Sequence, residues 1–159
     1  MKHIITILVE NRAGALSRIS GLFARRGFNI ESLAVGVTED QRLSRMTVAV
    51  DCDQQTLEQV EKQLNKLIDT VKVKILPEGG YISRELTLVR VGCPSGKRAE
   101  IIKTAEIMNA RLLDVTPTTV TLELADSTER TETFITLLKP FGIRELVRTG
   151  ASAIEKISK

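Results

Sequence analysis

One arrangement of apolar residues occurs twice along this chain, and it limits the fold more than any other feature of the sequence. In residues 1–76, short runs rich in Ile and Val alternate with stretches whose apolar residues recur at helical spacing. The order is strand, helix, strand, strand, helix, strand, which is the ferredoxin-like βαββαβ arrangement. The predicted strands are 4–9, 30–37, 45–50 and 71–76; the helical stretches begin near Leu16 and Leu57, and the first ends at Gly27.

The second occurrence follows Pro77-Glu78-Gly79-Gly80, a turn-forming segment that ends the first pattern. Leu86 occupies the place that Ile4 has in the first half, an offset of 82 residues. The predicted strands are 85–91, 112–115, 119–124 and 143–148, and the helices are 97–108 and one that Ser127 introduces. We therefore expect an α+β fold with two tandem ferredoxin-like βαββαβ domains, 1–76 and 77–159. Because small domains bury little surface, packing between the halves or between chains is also expected.

The composition leaves little material for catalysis. Aromatic residues make up 3% of the 159 residues, and there are one His and two Cys. His and Cys most often carry acid–base, thiol or metal chemistry, so we expect no catalytic residue and no metal site in this chain. Cys52 and Cys93 have no second Cys or His at ligand spacing, which favours reduced thiols in a cytoplasmic protein.

Charge and hydropathy argue against nucleic acid and membrane partners. The formal net charge is +3, but residues 1–76 carry 11 basic and 9 acidic side chains and the remainder carries 12 and 11, so neither half is a basic arm. The predicted strands lack the aromatic residues on which RNA-binding sheets stack bases. No run approaches the ~20 apolar residues of a transmembrane helix. We expect no nucleic acid and no membrane among the partners.

The segment 11–17 is the best candidate for a ligand site. It passes from a strand into a helix, where unpaired backbone N–H groups and the helix dipole favour a carboxylate. Gly14 has no Cβ, so a ligand can approach its backbone, and the Asn11 amide both donates and accepts hydrogen bonds. A structural role remains open, in which Asn11 shapes the turn and Gly14 eases entry into the helix. Taken alone, Gly27 to Ile30 indicates only a helix cap followed by a turn.

A second glycine-containing loop, 92–98, lies between a predicted strand and a predicted helix, as a phosphate-binding loop does. Only three residues separate its glycines, where that loop needs four, and Arg98 stands where a Ser or Thr would hold magnesium. We therefore predict an ordinary turn at this position.

Several blocks of the sequence resemble the small, regulatory subunit of acetolactate synthase, also called acetohydroxyacid synthase. The resemblance covers essentially the whole chain and is densest in the first 76 residues. The blocks are 8–18 (LVENRAGALSR), 21–23 (GLF), 25–33 (RRGFNIESL), 43–47 (LSRMT), 58–67 (EQVEKQLNKL) and 114–117 (DVTP).

This resemblance implies that residues 1–76 form an ACT domain, a ligand-sensing module, and that the second half is the family's C-terminal domain. It further implies a non-catalytic chain that binds a large subunit, which uses thiamine diphosphate, magnesium and FAD to condense pyruvate with a second 2-keto acid. The small subunit would raise that activity and confer feedback inhibition, typically by valine, in branched-chain amino acid biosynthesis.

In the family, ACT domains pair and the effector lies between them. Carried over by residue, the site comprises Asn11 and Gly14 of one chain and Asn29 of its neighbour. Ala13, Ala15, Leu16 and Ile30 are the expected surroundings. The alternative function is a stand-alone ACT sensor without a synthase partner, and a catalytic ferredoxin-like protein is a third, more distant one.

Overall fold

The computed structural model describes residues 1–157, which form two compact units. The first consists of residues 1–82 together with the C-terminal stretch from Ala151, and the second of residues 83–150. Each unit is built on an antiparallel sheet with two α-helices. None of the helices in the described part of the chain is long and apolar enough to cross a membrane.

The first unit has the βαββαβ order that the sequence predicts. Its four-stranded sheet has the order β2-β3-β1-β4, and each neighbouring pair is antiparallel. Helix α2 begins where the Asp53 side chain accepts a hydrogen bond from the Thr56 N–H at 2.7 Å, a common N-cap arrangement. The elements are β1 (Lys2–Glu10), α1 (Ala15–Arg25), β2 (Ile30–Val37), β3 (Leu43–Asp51), α2 (Gln54–Asn65) and β4 (Thr70–Leu76).

Alternation along β1 explains the core of this unit. Ile5 and Ile7 are fully buried, as period-two side chains on one face of a strand should be. The two helices bring apolar residues to the same core, among them Phe23 and Leu64. The amphipathic stripes seen in the sequence are therefore the surfaces through which both helices pack.

The second unit repeats this topology. Its four main strands have the order β6-β7-β5-β8, which corresponds strand for strand to the first sheet. Its core includes Val91, Leu122 and Phe134. The elements are β5 (Tyr81–Gly92), α3 (Arg98–Met108), β6 (Arg111–Val115), β7 (Thr119–Asp126), α4 (Thr128–Leu138), a 3₁₀ turn (Lys139–Phe141) and β8 (Ile143–Arg148).

The last strand of the described residues, β9 (Ser152–Glu155), is not predicted by the sequence pattern, and it pairs with β5. Two residues of β9 contact β3 and β4 of the first unit. The Ala153 N–H donates to Thr47 Oγ1 at 3.4 Å, and Glu155 forms an ion pair with Lys74. The two compact units divide after residue 82, and the first unit is assembled from two separate segments of sequence.

Candidate functional site

The loop between β1 and α1 is held by the turn that joins β2 to β3. The Asn11 N–H donates to the Arg42 carbonyl at 2.7 Å, and Asn11 Nδ2 donates to the Gln41 carbonyl at 2.9 Å. The Asn11 side chain therefore has a structural role in this chain. Its Oδ1 is still an acceptor, and the residue is exposed, so the same side chain can also bind a ligand.

Gly14 adopts a left-handed conformation, with φ of 86°, at the N-cap of α1. No side chain of the described residues caps this helix end, and its first helical hydrogen bond runs from the Arg18 N–H to the Gly14 carbonyl at 2.9 Å. Within residues 1–157, the N–H groups of Leu16 and Ser17 find no acceptor. Two backbone donors at the positive end of a helix dipole are suited to a carboxylate.

The residues around Gly14 differ in exposure. Ala15 is buried and packs into the unit, whereas Ala13 and Leu16 are exposed, and Leu16 keeps 44% of its surface in solvent. The loop therefore offers backbone donors and two apolar side chains, Ala13 and Leu16, to an approaching molecule.

Sequence reasoning missed one side chain of this region, Asp69, which lies between α2 and β4. Its side chain is 1% exposed, and Arg18 Nε donates a hydrogen bond to its Oδ2. Arg12 Nε lies 3.5 Å from its Oδ1. The hydrogen bond from Arg18, followed by the charges of both arginines, holds the pKa of Asp69 below its ordinary value, although burial opposes this.

Asn29 and Ile30 lie at the opposite end of α1 from Gly14. Helix α1 has 11 residues, and at about 1.5 Å per residue it spans roughly 16 Å. Gly27 ends the helix with φ of 70°, as the sequence indicated, and Asn29 is exposed. One chain therefore does not bring Asn29 close to Gly14.

Strand β2 forms one edge of the first sheet, and two of its exposed side chains are apolar. Val35 and Val37 are 46% and 57% exposed. In the described residues, β2 pairs with β3 and with no strand on its other side. An exposed apolar edge invites pairing with another strand.

A cleft of ≈ 510 Å³ lies beside Asn11, between the β1–α1 loop and the β2–β3 turn. Charged side chains dominate its wall, including Asp40 and Arg42, which pair at 2.8 Å. The hydrogen bonds from Arg42 lower the pKa of Asp40 to about 2. Because this wall is polar, the cleft of a single chain is a poor receptor for an aliphatic side chain.

The loop 92–98 of the second unit forms a turn, as predicted. The Gly92 and Cys93 N–H groups already donate to the Gly142 and Thr118 carbonyls, at 2.8 and 2.7 Å, so they are not available to cradle a phosphate. Among residues 1–157 there is also no group of three or more His, Cys, Asp or Glu side chains that could hold a metal ion.

Two protein families match this chain, one in each half of the sequence. The family described as "AHAS small subunit-like ACT domain" matches residues 5–72, and the one described as "Small subunit of acetolactate synthase" matches residues 84–157.

Relatives of known description match along the whole chain. A probable acetolactate synthase small subunit of Archaeoglobus fulgidus is 48% identical over 100% of this chain and 99% of its own length. The acetolactate synthase small subunit of Mycolicibacterium smegmatis is 41% identical over 97% of this chain and 91% of its own. The crystal structure of the small subunit from Thermotoga maritima is 35% identical, with a TM-score of 0.92 over 100% of this chain and 99% of that one. The chain belongs to the acetolactate synthase small subunits, and residues 5–72 form its ACT domain.

Proposed function

We propose that this chain is the regulatory subunit of an acetolactate synthase in branched-chain amino acid biosynthesis. It does no chemistry itself: it binds the catalytic large subunit, raises its activity and makes it sensitive to feedback inhibition by valine or another branched-chain amino acid. Thiamine diphosphate, magnesium and FAD would be held by the catalytic subunit. Membership of the small-subunit family along the full chain is the main support for this proposal.

The effector site is proposed at the start of α1. The effector's carboxylate would bind the free N–H groups of Leu16 and Ser17, close to Gly14, where the helix dipole is favourable. The amides of Asn11 and Asn29 would bind its remaining polar atoms. The exposed side chain of Leu16 and the partly buried side chain of Ile30 would contact the branched side chain, with Ala13 beside them; Ala15, which is buried, would lie beneath this surface.

Two chains are needed for this site, because Gly14 and Asn29 lie at opposite ends of a helix of roughly 16 Å. We propose a homodimer in which the β2 edges and the neighbouring α1 helices of two ACT domains meet. This arrangement would cover Val35 and Val37 and bring Asn29 of one chain towards Gly14 of the other. Leu16, which is exposed in one chain, would then lie at the interface.

A ligand bound between two chains favours one arrangement of their interface. Through that interface it can change the state of the catalytic partner, and coupling of this kind is commonly worth about 1–3 kcal/mol, or about 5–150-fold in affinity. Inhibition of several-fold to about hundredfold is therefore expected.

The function is tested by reconstitution. The purified chain is mixed with the acetolactate synthase catalytic subunit of the same organism, and acetolactate formation is measured with and without L-valine, L-leucine and L-isoleucine. We expect the chain alone to be inactive, the mixture to be more active than the catalytic subunit, and one branched-chain amino acid to reverse the gain. Robust activity of the isolated chain, or no effect on the catalytic subunit, would overturn the proposal.

The site is tested with Gly14→Asp, which adds a negative charge where the carboxylate is expected to bind. Gly79→Asp is the matched control, because Gly79 also has a positive φ, of 72°, but lies outside the proposed site. We expect Gly14→Asp to abolish inhibition while activation persists, and Gly79→Asp to leave both. Full sensitivity to the effector in folded Gly14→Asp would show that the site is wrongly placed.

The dimer is tested at the two edges of the first sheet. Val37 in β2 and Val71 in β4 are 57% and 53% exposed, so Val37→Lys and Val71→Lys introduce the same charge on comparable surfaces. Sedimentation should show weakened pairing for Val37→Lys alone. If both variants pair like the wild type, the β2 edge is not the dimer interface.

A further inference from the structure

A buried carboxylate lies behind the Gly14 loop and is not fully satisfied by its surroundings. Asp69 is 1% exposed, and within residues 1–157 its Oδ1 accepts no hydrogen bond, although Arg12 Nε lies 3.5 Å from it. Its Oδ2 accepts one from Arg18 Nε, and its backbone carbonyl accepts one from the Glu10 N–H at 2.9 Å. A buried charge is costly unless it is paired, so movement of the Arg18 guanidinium away from Asp69 is unfavourable. Asp69 therefore holds this guanidinium in place.

The rest of the Arg18 guanidinium points to the loop. Its Nη2 lies 3.4 Å from the Ala13 carbonyl, and its Nη1 lies 2.8 Å from the position that a Cβ on Gly14 would take. In the described part of the chain, Nη1 has no hydrogen-bond acceptor, and the Arg18 side chain is 44% exposed. Two N–H donors of a positive group therefore lie unused beside the Gly14 backbone.

We propose that Arg18 is a second carboxylate-binding group of the effector site and that Asp69 is its positioning residue. This inference rests on the effector function proposed above and adds two residues to it. A guanidinium can bond Asp69 through Nε and a ligand carboxylate through Nη1 at the same time, because its five N–H donors form a planar fork. A lysine ammonium has no such fork, so it would not serve both partners equally well.

Glycine at position 14 then has a second role besides its positive φ. A side chain there would occupy the space that the Arg18 Nη1 fills, and it would separate the guanidinium from the free N–H groups of α1. With Gly14, one positive side chain and the helix N-terminus lie side by side.

The test measures binding of two ligands to the full chain by calorimetry. L-Valine carries the carboxylate, whereas L-valinamide keeps the isopropyl and amino groups but lacks that charge. The variants are Arg18→Gln, Arg18→Lys and Asp69→Asn. Arg25→Gln is the control, because it removes the same charge from the exposed last turn of the same helix.

We expect Arg18→Gln and Asp69→Asn to weaken L-valine binding by at least about tenfold, which corresponds to about 1.4 kcal/mol. L-Valinamide binding should change little, so the Kd of L-valinamide divided by the Kd of L-valine should fall towards one. Arg18→Lys should lower this ratio by a smaller factor, and Arg25→Gln should leave it at the wild-type value. A general loss of structure would weaken both ligands alike and leave the ratio unchanged.

The outcomes separate this inference from the function on which it rests. If Arg18→Gln binds L-valine as tightly as the wild type, or loses both ligands equally, the role of Arg18 is refuted while the effector function stands. If the wild type binds none of L-valine, L-leucine and L-isoleucine, the effector function fails, and this inference with it. Arg18 is partly exposed, so Arg18→Gln decides the question even if Asp69→Asn does not fold.

Discussion

Replacing Gly14 by alanine tests the contact between the loop and Arg18 through stability alone. An L-residue in the left-handed region costs roughly 1–2 kcal/mol, and the lower entropy of the unfolded chain returns about 0.4–1 kcal/mol. Gly79→Ala meets only these two effects, since no atom of residues 1–157, its chain neighbours apart, lies within 4 Å of the Cβ that it would add and its φ is 72°. We expect it to lower the free energy of unfolding by roughly 0.5–1 kcal/mol.

At Gly14 the new Cβ would also lie 2.8 Å from Arg18 Nη1, against about 3.5–4.0 Å for an ordinary carbon contact. The end of an arginine side chain usually moves aside at little cost, but Arg18 is tied at Nε to the buried Asp69. Forced shifts in packed surroundings cost about 1–3 kcal/mol. The total loss for Gly14→Ala is therefore expected to be about 1.5–4 kcal/mol.

Urea denaturation followed by circular dichroism measures both variants under the same conditions. If Gly14→Ala and Gly79→Ala lose the same free energy of unfolding, Arg18 is not held against the loop and the reasoning above is wrong. We expect Gly14→Ala to lose more free energy of unfolding than Gly79→Ala. If this difference disappears when both changes are made in the Arg18→Ala variant, the strain lies at the contact between residue 14 and Arg18.

Three further predictions concern the core, a helix cap and one carboxylate. Phe134 is fully buried in the second unit, so Phe134→Ala should lower the free energy of unfolding by about 3–5 kcal/mol, measured by chemical denaturation. Asp53→Ala removes the acceptor for the Thr56 N–H at 2.7 Å and should cost about 1 kcal/mol in the same assay. The pKa of Asp40 is lowered to about 2 by Arg42, so this pair favours the folded state above the ordinary pKa of 3.8, and that contribution is lost as the pH falls through about 2. An NMR titration should show the low midpoint, and Arg42→Gln should return it towards 3.8, whereas an unchanged midpoint would contradict the assignment.

The order of elements could be predicted from the sequence because hydrophobic periodicity reports local structure. Strands β1 to β4 and both helices of the first unit lie where apolar residues repeat with period two or with helical spacing. Strand β9 could not be predicted, because it has only four residues and its Ile154 is exposed. The bounds of the two units depend on which strands β9 contacts, and a local sequence pattern does not report such contacts.

The candidate site divides in the same way. Gly14 and Asn11 stand in a strand-to-helix loop, which has a recognisable sequence pattern. Asp69 has none: its partner Arg18 is 51 positions away, and only the folded chain shows that the two meet. That Asn11 is already used in holding a neighbouring turn is likewise a property of the fold and not of the residue type.

The return of β9 makes the first unit discontinuous, with the second unit inserted between its two segments. On the ribosome the segment from Ala151 emerges after residues 83–150, so the first unit can be completed only after the whole inserted unit has been synthesised. A fragment that stops at residue 82 would lack this closing segment, including the partners of Thr47 and Lys74. The isolated first unit would therefore be better obtained by circular permutation, with the closing segment joined ahead of β1, than by truncation.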